Sequence, residues 1–566
     1  GSEALPARPG ISVKLSALHP RYEALNAERV MAELVPKLLE LSRAAKAHDL
    51  NLTVDAEEAD RLKLSLDVIA AVAADPSLAG WHGFGLAVQA YQKRAPAVID
   101  YMVELAESLN RRFMVRLVKG AYWDTEMKRG QERGLDDYPL FTRKASTDLS
   151  YLVCADKLLR ARPRLYPQFA THNALTVAEV SEIAGADRHF EFQRLHGMGD
   201  TLYREVTEKD GQPCRIYAPV GGHKDLLAYL VRRLLENGAN SSFVAAVGDA
   251  KVEISTLLKR PADVLDGGDR ARHARIPLPA DLFGARRNSR GVELADEQAL
   301  EPLLAAIAAA GSDFGTAASI IDGADAAGSP RVLLSPVDGE TAVGRAIDAD
   351  ADIASKAVAS AAAGFRQWSG TPAETRAAVL ERAADLLEDR LPAFLAVLGL
   401  EAGKTLADGV AEVREAVDFC RYYAAEARRL FASPAAMPGP TGEENRLAYR
   451  GRGVFATIAP WNFPLAIFMG QTVAALAAGN TVVAKPAEQT PLTAAMAVRL
   501  LHEAGVPVSA LALLVGDGMA GAALTADPRI AGVAFTGSTD TAFAINRTLA
   551  AKDGPIVPLI AETGGL

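Results

Sequence analysis

The chain has 566 residues, of which 49 % are apolar and 23 % charged, with a formal net charge of −9. That length holds several units of about 150 residues or two large ones, and the balance is that of an ordinary globular protein with material for large cores. No apolar stretch of about 20 residues occurs, which excludes a membrane-spanning helix. The acidic balance excludes a general attraction to nucleic acid. Three widely spaced cysteines, Cys154, Cys214 and Cys420, exclude a disulfide framework and a cysteine zinc site; no metal is expected, and a reducing cytoplasm is. The opening residues GSEALPARPG lack the basic start and apolar run of a signal peptide.

In chain order, one rhythm repeats: a short apolar run with a polar end, then an amphipathic stretch. ISVKLSAL (11–18) precedes a helix predicted near 27–48, LNLTVDAEE (50–58) precedes 60–74, and GFGLAVQAY (83–91) precedes 95–110. FMVRLVKGAYW (113–123) precedes 144–161, PQFATHNA (167–174) precedes 176–184, HFEFQRLHGMG (189–199) precedes 200–206, and CRIYAPVG (214–221) precedes 223–238. Strands alternating with helices imply parallel βαβ units. There are seven, one fewer than a closed (βα)8 barrel requires. The expectation is such a barrel with its first strand upstream of residue 1; an open doubly wound sheet is the alternative. The Pro-, Gly-, Asp- and Arg-rich stretch 259–290 reads as a linker. Helices rich in alanine, a strong helix former, are predicted at 351–369, 373–392 and 408–431, followed by strands at 453–460 and 480–486. The expected domains are therefore 1–258, 259–290 as linker, and 291–566.

Lys14, Asp55, Gln89, Arg116, Thr171, His172 and Tyr217 all lie in or just after apolar strand runs. In a barrel these positions gather at the C-terminal mouth, where sites are built. Arg232 and Arg233 with Glu236, in YLVRRLLEN (229–237), offer planar donor forks for a small carboxylate. From the residues alone, a solvated RRxxE pair is the plainer reading.

ISVKLSALHPRY, VDAEE, RLVKGAYWD, PQFATHNA, CRIYAPVG and YLVRRLLENGANSSF together resemble the proline dehydrogenase domain of the proline utilization A family, over residues 10–245. The resemblance implies a (βα)8-type barrel holding FAD at its mouth and oxidising L-proline to Δ1-pyrroline-5-carboxylate. It assigns Arg232 and Arg233 to the substrate carboxylate, supported by Glu236. Lys14, Asp55, Leu195, Tyr217 and Tyr229 line the pocket. Gln89, Arg116, Lys119, Gly120, Ala121, Tyr122, Trp123, Thr171, His172 and Asn173 fall on flavin-contacting segments, Arg116 near flavin N5. The implied electron acceptor is a quinone, and with it a peripheral contact with the inner membrane.

Four further motifs stand in order: PWNFP (460–464), KPAEQTP (485–491), FTGST (535–539) and ETGG (562–565). Each alone is a turn, a surface lysine or a helix start. In this order they resemble the Rossmann-like NAD-binding domain of the aldehyde dehydrogenase superfamily, over about 330–566. The resemblance gives Asn462 as oxyanion donor and Glu562 as general base. Lys485 and Glu488 serve the adenosine ribose, Glu488 favouring NAD over its 2′-phosphate analogue, and Gly537 and Ser538 the pyrophosphate. The family's nucleophilic cysteine falls beyond ETGG, where none of the three cysteines stands, so the chain reads as a fragment. The combined expectation is oxidation of proline and then of glutamate semialdehyde to glutamate, with passage of the intermediate between sites and a homo-oligomer in the full-length family member. The alternatives are proline dehydrogenase activity with an inert second half, and a proline-responsive DNA-binding regulator, against which the acidic charge and the lack of a visible DNA-binding arm speak.

Overall fold

The structure is a computed structural model that describes residues 5–222, 224, 226, 227, 231, 253–265 and 272–564. The chain divides into two compact units, Gly1–Glu132 with Asp137–Leu278, and Arg133–Asp136 with Pro279–Leu566. The stretch 259–290 is thus shared between the units at Leu278 and Pro279.

In the first unit seven parallel strands pair in sequence order: β1 (Gly10–Val13), β2 (Asn51–Val54), β3 (Phe84–Gln89), β4 (Phe113–Val118), β5 (Leu165–Ala170), β6 (Glu191–Leu195) and β7 (Cys214–Tyr217). The intervening helices are α1 (Ala27–Ala47), α2 (Leu62–Ala74), α3 (Ala95–Ser108), α4 (Trp123–Glu132), α5 (Lys144–Arg160), α6 (Ala174–Ala184) and α7 (Asp200–Asp210). Helix α1 buries Val30, Leu34 and Leu38, spaced one helical turn apart. They join the outward strand residues Leu52, Val54, Leu86, Val115, Leu117, Phe169 and Phe192 in one core. Each such side chain contributes about 1.5–3 kcal/mol by leaving water.

The sheet curls. Arg116 on β4 reaches Ser12 on β1, Asp55 beyond β2 and Gln193 on β6, which only a curved sheet brings within one side chain's span. Arg215 on β7 donates to the Pro6 and Arg8 carbonyls just ahead of β1. The expected barrel-type α/β architecture, with seven strands among the described residues, is what the chain forms.

The second unit carries five parallel strands: β8 (Val454–Ile458), β9 (Thr481–Lys485), β10 (Leu511–Leu513), β11 (Ile530–Gly537) and β12 (Leu559–Thr563). Their spatial order is β10-β9-β8-β11-β12, continued past β10 by short antiparallel pieces at Ile320–Ile321 and Ala324–Asp325. Helices α8 (Ala351–Gly370), α9 (Ala373–Asp389), α10 (Leu391–Glu401) and α11 (Leu406–Phe431) precede β8; α12 (Ala466–Ala477), α13 (Pro491–Ala504), α14 (Gly518–Ala526) and α15 (Thr539–Ala550) alternate with the strands. Every residue of β9 is buried, as expected of a parallel strand covered on both faces. Small residues such as Ala377, Ala384, Ala416 and Ala424 let α9 and α11 approach closely within the core.

The helices depart from the sequence reading in places, two of them instructive. The helix predicted at 373–392 is two, because Pro392 has no N–H to continue α9 and instead sits in the first turn of α10. A helix not predicted, α4, follows β4; it is charged, and the few residues it buries include Glu126 and Gly130, so it has no apolar stripe to read.

Candidate active sites on the two units

At the C-terminal mouth of the first unit, direct contacts join five sequence-predicted residues in two groups, a pair and a trio. Lys14 donates to the Tyr122 hydroxyl over 3.1 Å. Asp55 takes the Arg116 guanidinium at 2.7 Å on one oxygen and the Tyr217 hydroxyl at 3.2 Å on the other. The same guanidinium lies 5.0 Å from the Tyr217 ring centroid. Its Nε donates to Gln193 at 2.8 Å and its second terminal nitrogen to Ser12 at 2.7 Å. Arg116 is 8 % exposed, so these partners stand in for water.

The remaining predicted positions follow the ends of their strands. Gln89 donates to the Glu57 carbonyl at 2.7 Å, tying the segment after Asp55 to β3. Lys119 is ion-paired with Asp148, which also takes Lys144 at 2.9 Å. Burial lowers the Lys119 ammonium's pKa, opposed by Asp148. Asp148 is raised by burial, but the two lysines outweigh this and hold it below the usual carboxylate range. Gly120 has φ +138°, and a Cβ there would fall 2.3 Å from the Tyr91 ring, so only glycine turns the chain here. Ala121 is exposed, and Trp123 anchors to the Phe141 carbonyl at 2.9 Å. The Thr171 hydroxyl accepts from the Asn173 amide, and Asn173 caps α6 by accepting from Leu175 and Thr176. His172 Nε2 accepts the Leu195 amide at 3.1 Å, joining the ends of β5 and β6. Tyr229, Arg232, Arg233 and Glu236 lie outside the described residues.

The donor set fits FAD. A guanidinium, an ammonium, a carboxamide, an imidazole and hydroxyls lie in or just after the C-terminal parts of the strands. No nucleotide-binding glycine fingerprint is needed for that arrangement.

In the second unit the chain passes from β8 to β9 and β10 on one side and to β11 and β12 on the other, so a crevice opens at the C-terminal ends of β8 and β11. The register aligns Ile458 with both Lys485 and Phe535, and Thr536 with Glu562, which places all four motifs along that edge. Lys485 is 4 % exposed and donates to the Pro486 carbonyl at 3.0 Å. An ammonium has three donors; burial lowers its pKa, and Glu488 and Asp517 oppose that. Glu488 is half-buried. Gly537 ends β11, and Ser538 caps α15 by accepting from the Thr541 amide at 3.2 Å. A buried lysine with donors to spare and a capped helix start fit the hydroxyls and phosphates of NAD. Asn462 and Trp461 are exposed in the loop after β8, and Glu562 is exposed on β12. Gly565 of ETGG lies outside the described residues.

Sequence reasoning missed what holds the Asn462 loop. Glu412, buried on α11, accepts from the Leu465 and Ala466 amides at 2.9 and 3.3 Å and pairs with Lys404 at 2.9 Å. The Lys404 ammonium lies 4.0 Å from the Phe463 ring centroid. Gln193 and Ser12 were missed too. Each lies two residues before a predicted pocket residue, Leu195 or Lys14, and so faces the same way.

Residues 2–246 match the Proline dehydrogenase family and residues 325–566 the Aldehyde dehydrogenase family. Bifunctional protein PutA of Rhizobium meliloti is 51 % identical over 98 % of this chain and 45 % of its own length. That of Klebsiella aerogenes is 48 % identical over 99 % of this chain and 43 % of its own. A crystal structure of a Bradyrhizobium japonicum proline utilization A variant superposes with a TM-score of 0.90 at 63 % identity, over 100 % of this chain and 55 % of that one. The chain thus spans less than half the length of these two curated relatives.

Proposed function

Because the chain belongs to the proline utilization A family, we propose that its first unit oxidises L-proline to Δ1-pyrroline-5-carboxylate and that its second binds NAD for oxidation of glutamate semialdehyde. The two families it matches are FAD- and NAD-dependent respectively. The observation that carries the first half is the contact set of Lys14, Asp55, Arg116, Tyr122 and Tyr217 at one mouth.

When bound, FAD would supply the hydride acceptor for oxidation at proline C5, a proton leaving the ring nitrogen so that a C5=N imine results. The protein's part is orientation and charge. Lys14, which holds the Tyr122 hydroxyl, and Tyr217, steadied by Asp55, line the pocket. Asp55 and Arg116 neutralise one another in a 2.7 Å ion pair, so neither charge is left buried without its counter-charge. Arg232 and Arg233, supported by Glu236, receive the carboxylate, and Tyr229 lines the pocket. Gln89, Arg116, Lys119, Gly120, Ala121, Tyr122, Trp123, Thr171, His172 and Asn173 hold the cofactor, and Leu195 completes the pocket.

In the second unit Lys485 and Glu488 take the ribose hydroxyls, and Gly537 and Ser538 the pyrophosphate. Asn462 donates to a developing oxyanion and Glu562 activates water. None of the chain's thiols serves as nucleophile: burial pushes Cys154 and Cys214 up to about 11 and Cys420 up to about 12. That observation favours a second reading, in which this chain by itself oxidises proline and only binds NAD. A quinone acceptor met at a membrane surface, and a homo-oligomer of the full-length protein, belong to the same proposal. Among the described residues no helix is long and apolar enough to cross a membrane.

The test is to add L-proline anaerobically to the flavin-loaded protein and follow the visible flavin absorption. Bleaching is the expected result. A flavin-loaded protein of full mass that does not bleach refutes the substrate assignment.

A further inference from the structure

The inward-facing residues of the first unit's sheet are unusually polar for a barrel interior, which is commonly filled with branched apolar side chains. Below Arg116 lie Gln193, Gln168 and Glu191, exposed by 2 %, 2 % and 3 %. A buried polar group is costly unless its hydrogen bonds are made, and here, apart from the Gln168 carbonyl oxygen, these side chains are joined in one connected set. Gln193 accepts from Arg116 Nε at 2.8 Å through its carbonyl oxygen and donates to Glu191 at 2.8 Å through its nitrogen. Gln168 donates to the same Glu191 oxygen at 2.9 Å. Arg215 grips Glu191 at 2.7 and 2.9 Å, and is itself anchored on the Pro6 and Arg8 carbonyls.

A carboxamide has two faces, and what lies beneath decides which one points up. Glu191, as a carboxylate, only accepts. It holds the Gln193 nitrogen downward and so turns the carbonyl oxygen up toward Arg116. The reversed amide sets donor against donor at Arg116 and oxygen against carboxylate at Glu191.

We propose that Gln193, its amide fixed by Glu191, is a positioning residue that sets the orientation of the Arg116 guanidinium at the flavin site; this rests on the reading of the first unit as a flavin-dependent proline dehydrogenase. Asp55 and Ser12 hold the two terminal nitrogens of Arg116, and Gln193 holds Nε. Three points define a plane, whereas two leave the fork free to turn about the line joining them.

Three FAD-loaded variants test it. Gln193→Met keeps the length and removes donor and acceptor. Gln193→Glu keeps an acceptor for Arg116 but sets it against Glu191. Glu191→Gln removes the charge that fixes the amide. In each, anaerobic bleaching by proline slows by about tenfold or more, the scale of rate loss for small misplacement of a site group. The flavin's visible band and reduction potential shift as well, while the proline concentration for half-maximal bleaching rate changes less. A role in packing alone lowers the melting temperature and moves neither spectrum nor potential. Wild-type rate, spectrum and potential in any two flavin-loaded variants overturn the proposal. So does loss of flavin from both Gln193 variants while Glu191→Gln stays loaded and behaves as wild type. A wild-type protein that does not bleach brings down the proline dehydrogenase reading and this inference with it; a bleaching wild type with indistinguishable variants brings down the inference alone.

Discussion

At the scale of single residues, the first unit's mouth depends on atoms that are not there. Gly120 stands between Lys119 and Tyr122 with φ +138°, and its missing Cβ leaves room for the buried Tyr91 ring. Gly120→Ala meets both constraints at once: a backbone conformation costing roughly 1–3 kcal/mol for a residue with a side chain, and a carbon placed inside the van der Waals radius of a ring that cannot recede. The expected outcome is a lower melting temperature and weaker retention of FAD, measured by thermal unfolding and by the flavin-to-protein absorbance ratio. By contrast, Cys154 and Cys420 are fully buried and their thiols protonated, so alkylating reagents should leave both unmodified in the folded protein while labelling them after denaturation, as mass spectrometry reads directly.

At the scale of elements, two helices of the second unit are capped from a distance. Leu465 before α12 and Thr490 before α13 supply no side-chain cap. Glu412 from α11 and Glu401 at the end of α10 supply the acceptors instead, Glu401 taking the Leu492 amide at 2.7 Å and the Thr493 amide at 2.9 Å. Burial raises Glu401 to about 7 despite those hydrogen bonds, which pull the other way. Folded protein therefore holds a proton that the unfolded chain releases near 4.5. The associated stability is fully present below pH 4.5 and is lost as pH rises through 7, a change on the order of 3 kcal/mol. Denaturant unfolding across that window should show this fall in wild type and its absence in Glu401→Gln. These caps also mark where the sequence stops being legible. Strands could be read because apolar runs end in Lys14, Asp55 or Lys119, and the crevice because its four motifs keep their order. Glu412 lies 53 residues from Leu465, and Gln193 lies 77 from Arg116. Partnerships of that span leave no periodic trace, so a buried glutamate on a helix looks like any solvated one until the chain is folded.

At the scale of the whole molecule, two sheets follow the same rule, with the candidate site residues at the C-terminal ends of parallel strands, in two units with separate residue sets. Asp55→Ala should abolish proline-driven bleaching yet leave NAD affinity unchanged by calorimetry, whereas Lys485→Met should weaken NAD binding about tenfold or more, as loss of a charged hydrogen bond does, and leave bleaching intact. The loop after β8 adds a means of watching the second event. Of the chain's four tryptophans, Trp81 and Trp368 are 4 % and 2 % exposed and Trp123 is half-buried, while Trp461, next to Asn462, is 58 % exposed. Iodide should therefore quench emission chiefly from Trp461, and a nucleotide entering the crevice should shield it. The chain carries its own two-colour readout, yellow absorbance for one unit and ultraviolet fluorescence for the other, so both halves can be followed in one cuvette without attaching a dye.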